Sequence, residues 1–344
     1  MRLNQLPLAK SLMKQMNLVI CLLFLSSQLH SAQSATAPVF ELITLGDTGG
    51  IEDGNLSAFL LRVISEPHYI ALDAGTLVNG INVAQSNKAF KHLPVKIDNT
   101  LSSTGNILHH HIKGYLISHG HLDHVAGLLI ASPDDNNKPI YALKSVNQTM
   151  SDTYFNWQAW ANFTDRGLPP LLKKYEVIDL IPQQAMNLKD TQLSVTAFSL
   201  SHPGESTAFV IEYQDNMFVY FGDTGPDEVE KQGKLSAIWQ YLAKKMQSKR
   251  LRGVVIEVSF DNQQPDNLLF GHLTPKWLMS ELTRFHALLD NKKALTEIPI
   301  VISHIKYSLK NTVDPKVKIK QQLEQLNKLG FNFIIATQGQ RIVL

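Results

Sequence analysis

One short segment restricts this chain more than any other. An apolar run, Ile112-Lys-Gly-Tyr-Leu-Ile-Ser118, breaks off into His119-Gly-His121-Leu-Asp123-His124. Four potential metal ligands lie within six positions. A helix would send positions 119 and 121 to different faces, whereas a tight loop after a strand can aim all four side chains into one cleft. Clustered buried polar groups are costly unless a partner satisfies them. Imidazole with carboxylate suits Zn, Mn or Fe better than Ca or Mg. Six residues are too few to close a dinuclear site, so the fold must bring further ligands from distant parts of the chain.

Candidates for those ligands recur in one local context. His202 follows the strand-like run 193–198, Asp223 follows 217–221, and His304 follows 298–303. Each sits where an apolar strand ends, which is where α/β folds place their clefts. Taken singly, His202 and His304 read equally as capping residues and Asp223 as a turn residue.

The remaining pattern is α/β. Strand-like runs at 40–45, 57–64, 69–73, 112–118, 193–198, 209–213, 217–221, 252–257, 298–303 and 331–335 alternate with helical patterns. The clearest helices are expected over 235–247, 275–289 and 315–329, with 144–166 helical with turns. Strands followed by helices argue for a layered α/β sandwich. Both halves of the chain run from strands to helices, which suggests two related halves within one domain.

The first 37 of the 344 residues are set apart. Arg2, Lys10 and Lys14 precede the apolar stretch 18–25, a small-residue region with A-x-A-like sites follows, and no acid occurs before Glu41. These features read as a secretory signal peptide, cleaved near Ala37, followed by a single domain over 38–344. The apolar stretch is too short to span a bilayer stably. The remaining 307 residues lose three basic residues and no acid, which turns a formal charge of +2 into −1. That balance excludes a strong basic footprint for nucleic acid. Cys21, the one cysteine, goes with the signal, so the exported chain has neither a disulfide nor a thiolate ligand. No further membrane span is expected, and the location would be the periplasm in a two-membrane bacterium.

His119-x-His121-x-Asp123-His124 resembles the metal motif of the metallo-β-lactamase superfamily. The longer stretch, His119-Gly-His-Leu-Asp-His-Val-Ala-Gly-Leu-Leu-Ile-Ala-Ser-Pro133, resembles the signature of class II 3′,5′-cyclic-nucleotide phosphodiesterases. Gly46-Asp-Thr-Gly-Gly50, Asn55-Leu-Ser57, Asp73-Ala-Gly75 and Phe221-Gly-Asp-Thr-Gly-Pro226 fit it as well. The resemblance implies a four-layer αβ/βα sandwich with a dinuclear site at one edge. It implies that His119, His121 and His202 bind one metal, that Asp123, His124 and His304 bind the other, and that Asp223 bridges them. Two divalent ions follow, with zinc favoured. Many β-lactamases of this fold carry a cysteine at the bridging place, whereas a bridging carboxylate marks the phosphodiester-hydrolysing variety.

The implied reaction is attack of hydroxide on the phosphorus of a cyclic nucleotide, cAMP and by extension cGMP, to give a 5′-nucleotide. Asp123 belongs to the catalytic set as well as to the ligands. A 3′-alkoxide leaves poorly, so a proton donor is expected, with His272 as the candidate and Glu257 placed to orient it. His272 could equally cap the helix that starts at Pro275, and Glu257 could be a plain exposed strand-end residue. Asp73 is expected to orient a metal-binding histidine.

Other features read blandly. His109-His-His111 could recruit metal but is expected in a solvated loop, Trp157 and Trp160 could stack a purine but are expected on the core face of a helix, and the basic run 244–252 is expected at a solvated helix end. Lys306 and Tyr307, beside His304, offer a weak phosphate contact. Two other readings stand beside the main one. The first is another hydrolase of the same fold, such as an RNA phosphodiesterase, a lactonase or a lactamase. The second is a non-catalytic metal- or nucleotide-binding envelope protein.

Overall fold

The protein is described here from a computed structural model, which describes residues 37–93 and 98–344. The expected signal segment, apart from its last residue, lies outside the described residues. The first half of the chain runs through β1 (Phe40–Gly46), the short β2 (Thr48–Gly49), β3 (Ala58–Val63), β4 (Tyr69–Leu72), α1 (Val78–Ser86), α2 (Ser103–Asn106), β5 (Ile112–Leu116), α3 (Leu122–Ala131), β6 (Lys138–Leu143), α4 (Lys144–Thr153) and β7 (Tyr175–Leu180). The second half continues with β8 (Ala185–Asn187), β9 (Ser194–Ser201), β10 (Glu205–Tyr213), β11 (Asn216–Phe221), α5 (Asp227–Glu230), α6 (Lys234–Lys245), β12 (Arg250–Glu257), α7 (Pro275–Leu288), α8 (Lys293–Thr296), β13 (Pro299–Ser303), β14 (Ile305–Lys306), α9 (Pro315–Leu326), β15 (Asn332–Ile335) and β16 (Arg341–Val343).

The large strands form two seven-stranded sheets, ordered β16-β1-β3-β4-β5-β6-β7 and β15-β13-β12-β11-β10-β9-β8. In both, an antiparallel set passes into a parallel one, at β4–β5 in the first sheet and at β11–β12 in the second. The halves therefore share a plan. The exception is β16, which leaves the second half to pair antiparallel with β1.

Side-chain alternation along the strands fixes the layers. In β11, Phe218 and Tyr220 join the core between the sheets, while Met217, Val219 and Phe221 join a second core. The same period-two split divides Val255 from Val254 and Ile256 in β12, and Val301 from Ile300 and Ile302 in β13. The second core is completed by Leu235, Ile238, Trp239 and Leu242 of α6, Leu278, Leu282 and Phe285 of α7, and Ile319 and Leu323 of α9. Across the sheets, Phe59 meets Tyr220 with ring centroids 5.9 Å apart, and Phe40 meets Phe218 at 6.3 Å. Ile81 of α1, Val125 and Leu128 of α3 and Val146 and Met150 of α4 join the core of the first sheet. The result is an αβ/βα sandwich. Burying each such large apolar side chain contributes about 1.5–3 kcal/mol.

Three local expectations need correction. Over 144–166, expected as helix with turns, the helix stops at Thr153 and the chain turns from there through 154–174. Trp157, at φ 65°, and Trp160 therefore lie in turns and are partly exposed, with their indole N–H groups donating to Pro170 O (2.9 Å) and Ser132 Oγ (3.0 Å). The triple histidine is not a solvated loop. It closes a π-turn, Ile107–His111, in which His111 is buried against Pro67 O at 2.8 Å and His109 Nε2 lies 2.6 Å from Asp134 O. The basic run after α6 is not simply solvated either, because Lys245 and Lys249 both reach Glu212 of β10, at 3.0 and 2.6 Å. No described helix is long and apolar enough to cross a membrane.

Candidate metal centre

The site lies where strands end. After β5 the chain runs extended through Ser118, His119 and Gly120 to His121, the N-cap of α3. Asp123 and His124 fall in the first turn of that helix, so the six-residue segment is a loop joined to a helix start rather than a loop throughout. His202 lies in the β9–β10 turn, Asp223 follows β11, and His304 separates β13 from β14. Asp73 follows β4, Glu257 is the last residue of β12, and His272 lies just ahead of α7. Asp73 and His304 both take positive φ, 53° and 56°, a strained backbone of the kind that gathers at functional sites.

The donor atoms converge. His119, His121, His202 and Asp223 form one group whose ligand atoms lie within 4.8 Å of one another, and Asp123, His124 and His304 form a second. Asp223 reaches both. Its Oδ2 is 3.7 Å from His119 Nε2, 3.8 Å from His202 Nε2 and 3.2 Å from His304 Nε2, and its Oδ1 is 3.3 Å from His124 Nε2. His304 Nε2 also lies 3.2 Å from Asp123 Oδ2, and His202 Nε2 lies 3.1 Å from His121 Nδ1.

A ring of partners fixes which nitrogen four of the imidazoles present, whereas His121 turns its Nδ1 inward to His202 Nε2. His124 Nδ1 sits 2.7 Å from Asp73 Oδ2, which also accepts from Ser118 Oγ (2.7 Å) and Tyr220 Oη (2.6 Å). His119 Nδ1 meets Ser118 Oγ at 3.0 Å, His202 Nδ1 meets Gly271 O at 2.9 Å, and His304 Nδ1 meets Ser259 Oγ at 2.9 Å. In all four rings Nδ1 is committed outward, which leaves the Nε2 lone pair pointing into the cluster. Buried in the centre, His119 Nε2 and His124 Nε2 make no well-formed hydrogen bond, with Asp223 oxygens 3.7 and 3.3 Å away as their facing acceptors. Orphaned buried nitrogens of this kind, set around a carboxylate, fit a divalent cation.

The electrostatics agree. Burial pushes His124 down, yet Asp223, Asp73 and Asp123 outweigh it and hold the imidazole well above its ordinary value. Burial pushes Asp223 up, and His304 and His124 outweigh it in the other direction. His119 is pushed well down, by burial first and then by His124, and burial brings His202 to about 4. Carboxylates that force a proton onto a buried imidazole form a site that also accepts a cation, and binding it releases that proton.

Glu257 and His272 form a buried pair at the edge of the cluster, with His272 Nδ1 3.7 Å from Asp223 Oδ2 and its ring grouped with Asp223 and His304 as a third possible ligand set. His272 Nδ1 lies 2.8 Å from Glu257 Oε1. Glu257 is not exposed at its strand end: it accepts from the backbone N–H of Thr224 and Ser259, both at 3.0 Å, and from Ser259 Oγ at 2.7 Å. The N-cap of α7 is Thr274, which accepts from Trp277 N, so the capping role open to His272 belongs to another residue. Burial pushes His272 down, and Glu257 and then Asp223 outweigh it, so the imidazole holds its proton above the usual pH.

Several supporting residues were not singled out from the sequence. Ser118, Tyr220 and Ser259 carry no motif of their own, and only strand alternation points Tyr220 inward. Gly49 stands against His304, where a Cβ would fall 2.2–2.5 Å from the imidazole ring. The Gly46–Gly50 loop is thus shaped by close approach, and Gly50 N donates to Asp123 Oδ2 at 2.7 Å. The cleft over the cluster has a volume of about 390 Å³ and includes His121, Asp123, His202, Asp223, His272 and Lys306 in its lining. Neither Trp157 nor Trp160 lines it.

Comparison with known proteins gives the same direction. Residues 40–339 match the family model described as cAMP phosphodiesterases class-II. A 3′,5′-cyclic-nucleotide phosphodiesterase of Aliivibrio fischeri is 47% identical over 314 residues, covering 91% of this chain and 94% of that protein. The crystal structure of unliganded yeast PDE1 superposes with a TM-score of 0.75 at 23% identity, covering 89% of this chain and all of that one. The metallo-β-lactamase fold protein YhfI from Bacillus subtilis superposes at 0.57 and 14% identity, covering 89% of this chain and 99% of that one, a likeness of fold alone.

Proposed function

Because the chain belongs to the class-II cAMP phosphodiesterases, we propose that it hydrolyses 3′,5′-cyclic nucleotides, cAMP and cGMP, to 5′-nucleotides at this cluster. In this reading two divalent ions, with zinc favoured, occupy it. His119, His121 and His202 would hold one, Asp123, His124 and His304 would hold the other, and Asp223 stands within reach of both sets. The supporting observation is the pair of buried Nε2 atoms of His119 and His124, which make no well-formed hydrogen bond and face the Asp223 carboxylate. When bound, such ions supply Lewis acidity to the phosphate and acidify water at neutral pH.

The chain's own residues do the rest. Asp73, Ser118, Ser259 and the Gly271 carbonyl hold four imidazoles in one tautomer and orientation. His272, with Nδ1 donating to Glu257, holds a second proton at Nε2 on the wall of the cleft. That proton goes to the 3′-oxygen as the bond to phosphorus breaks, so the ribose leaves as an alcohol. Lys306 is the cationic side chain in the cleft wall and suits the anionic diester.

Purified, metal-loaded protein should convert cAMP to 5′-AMP and lose the activity to a chelator. Absence of 5′-AMP with both sites loaded overturns the reading. Export through residues 1–37 to an extracytoplasmic compartment, the periplasm in a two-membrane bacterium, belongs to the same proposal and rests on the composition of that segment. Fractionation with terminal sequencing of the mature chain tests it.

A further inference from the structure

The mouth of the cleft differs from its floor. Three exposed apolar side chains stand around it, Ile51 (59% exposed), Leu122 (59%) and Phe270 (61%), above a floor of buried Asp223 and His272. Phe270 is the most telling of them. Its backbone sits at φ 52°, a region that bulky L-residues rarely adopt and that Gly enters freely. The turn cannot relax, because Gly271, at φ 73°, is pressed against the neighbouring loop: a Cβ there would fall 2.6 Å from Pro203 Cδ and 2.9 Å from His202 Cα. The strain therefore supports an aromatic ring held out in water beside the reaction site. Burial offers no reason for it, since most of the ring is exposed, and an outlier of this kind points to function.

We propose that Phe270, flanked by Ile51 and Leu122, is the platform that holds the nucleobase of the substrate, an inference that rests on the phosphodiesterase reading. In a 3′,5′-cyclic nucleotide the phosphate is fused to the ribose, and the base leaves the opposite end of that rigid bicycle. With the phosphate on the imidazole and carboxylate floor, the base emerges at the mouth, against these side chains. The platform offers an aromatic face and aliphatic flanks with no side-chain hydrogen-bonding group, so it reads the base by its π-face rather than by its edge. Such stacking tolerates different bases, because every base has a π-face.

The test is steady-state kinetics of the metal-loaded full chain with cAMP, cGMP and the base-free 1-deoxyribose 3′,5′-cyclic phosphate. Phe270→Gly is expected to raise KM for both nucleotides about tenfold, with kcat changed far less, as loss of one stacking contact implies. The preference for cAMP over the base-free analogue should shrink by the same factor, and Phe270→Trp should restore KM. Because Gly relieves the strained φ, the Phe270→Gly variant should keep or raise the parental Tm, which a merely structural role for the ring would not allow. A KM within twofold of the parent, a loss confined to one nucleotide, or an equal loss on the base-free analogue would overturn the platform alone. Failure of the parent to hydrolyse either nucleotide overturns the phosphodiesterase reading, and the platform with it.

Discussion

Asp73 Oδ2 lies 2.7 Å from His124 Nδ1, and the same oxygen accepts from Tyr220 and Ser118. Through this one carboxylate the ends of β4 and β11, in opposite sheets, both control how a single imidazole faces the cluster. Asp73→Asn keeps the shape but removes the charge that fixes the His124 tautomer. It should weaken metal affinity about 10–100-fold. Competition against a graded series of chelators measures this, and an affinity within twofold of the parent would remove Asp73 from the orienting role.

Glu257 and His272 should matter for chemistry and not for metal content. His272→Asn should lower kcat for cAMP by about 10²–10⁴-fold, the usual worth of a positioned acid. Bis(p-nitrophenyl) phosphate, whose leaving group needs no proton, should lose much less. Equal losses on both substrates would show that His272 is not the acid.

Removing metal should loosen the folded chain. The apo cluster keeps buried orphan nitrogens that a bound ion would satisfy. An ion present at 100 times its Kd adds about 2.7 kcal/mol, so Tm should rise by several degrees when zinc or manganese is restored. Elemental analysis of the loaded protein should return two ions per chain. One ion per chain at full activity would contradict the dinuclear reading.

Away from the site, Glu41 of β1 gives a pH-dependent term. It accepts from Arg62 Nε at 2.8 Å and Tyr69 Oη at 2.5 Å, and it pairs with Arg341 of β16. Burial pushes this carboxyl up, but Arg62, Tyr69 and Arg341 outweigh it and hold it below its ordinary 4.5. A depressed acid contributes stability in full above pH 4.5, and that stability is lost as pH falls through the lower folded value. Glu41→Gln should cost about 3–5 kcal/mol at neutral pH, because Arg62 keeps its carbonyl acceptors but is left buried without its counter-charge. Melting curves between pH 7 and 3 should show the gap between parent and variant narrowing only below pH 4.5. A gap that stays constant to pH 3 would assign the cost to packing instead.

The legible parts of this fold were those written locally. β5, β11, β12 and β13 are apolar runs that announce themselves as strands, and each hands over to a histidine or an acid within the next three residues or, in β12, in its own last one. That is why the strand-end donors stand out in the sequence. What stayed hidden depends on partners far away in the chain. Nothing near Ser259 says that its hydroxyl will meet Glu257, His272 and His304 together. Nothing near His111 says that Pro67 will cover it. The aromatic segment 154–163 suggests helix, but the helix has already stopped at Thr153, and Asn156, whose side-chain oxygen accepts from Gln158 N and Ala159 N, holds a turn there instead. Phe270 gave no signal, because a positive φ has no signature in a single phenylalanine.

The placement of β16 sets the order in which this molecule can be assembled. Its Arg341 grips Glu41 from 300 residues away, and Leu344 O receives the amides of Val39 and Phe40. Contacts of such sequence separation form late, since the intervening chain must first be drawn in. Until then β1 keeps one edge unpaired. The first sheet is therefore closed by residues 300 positions apart in the chain.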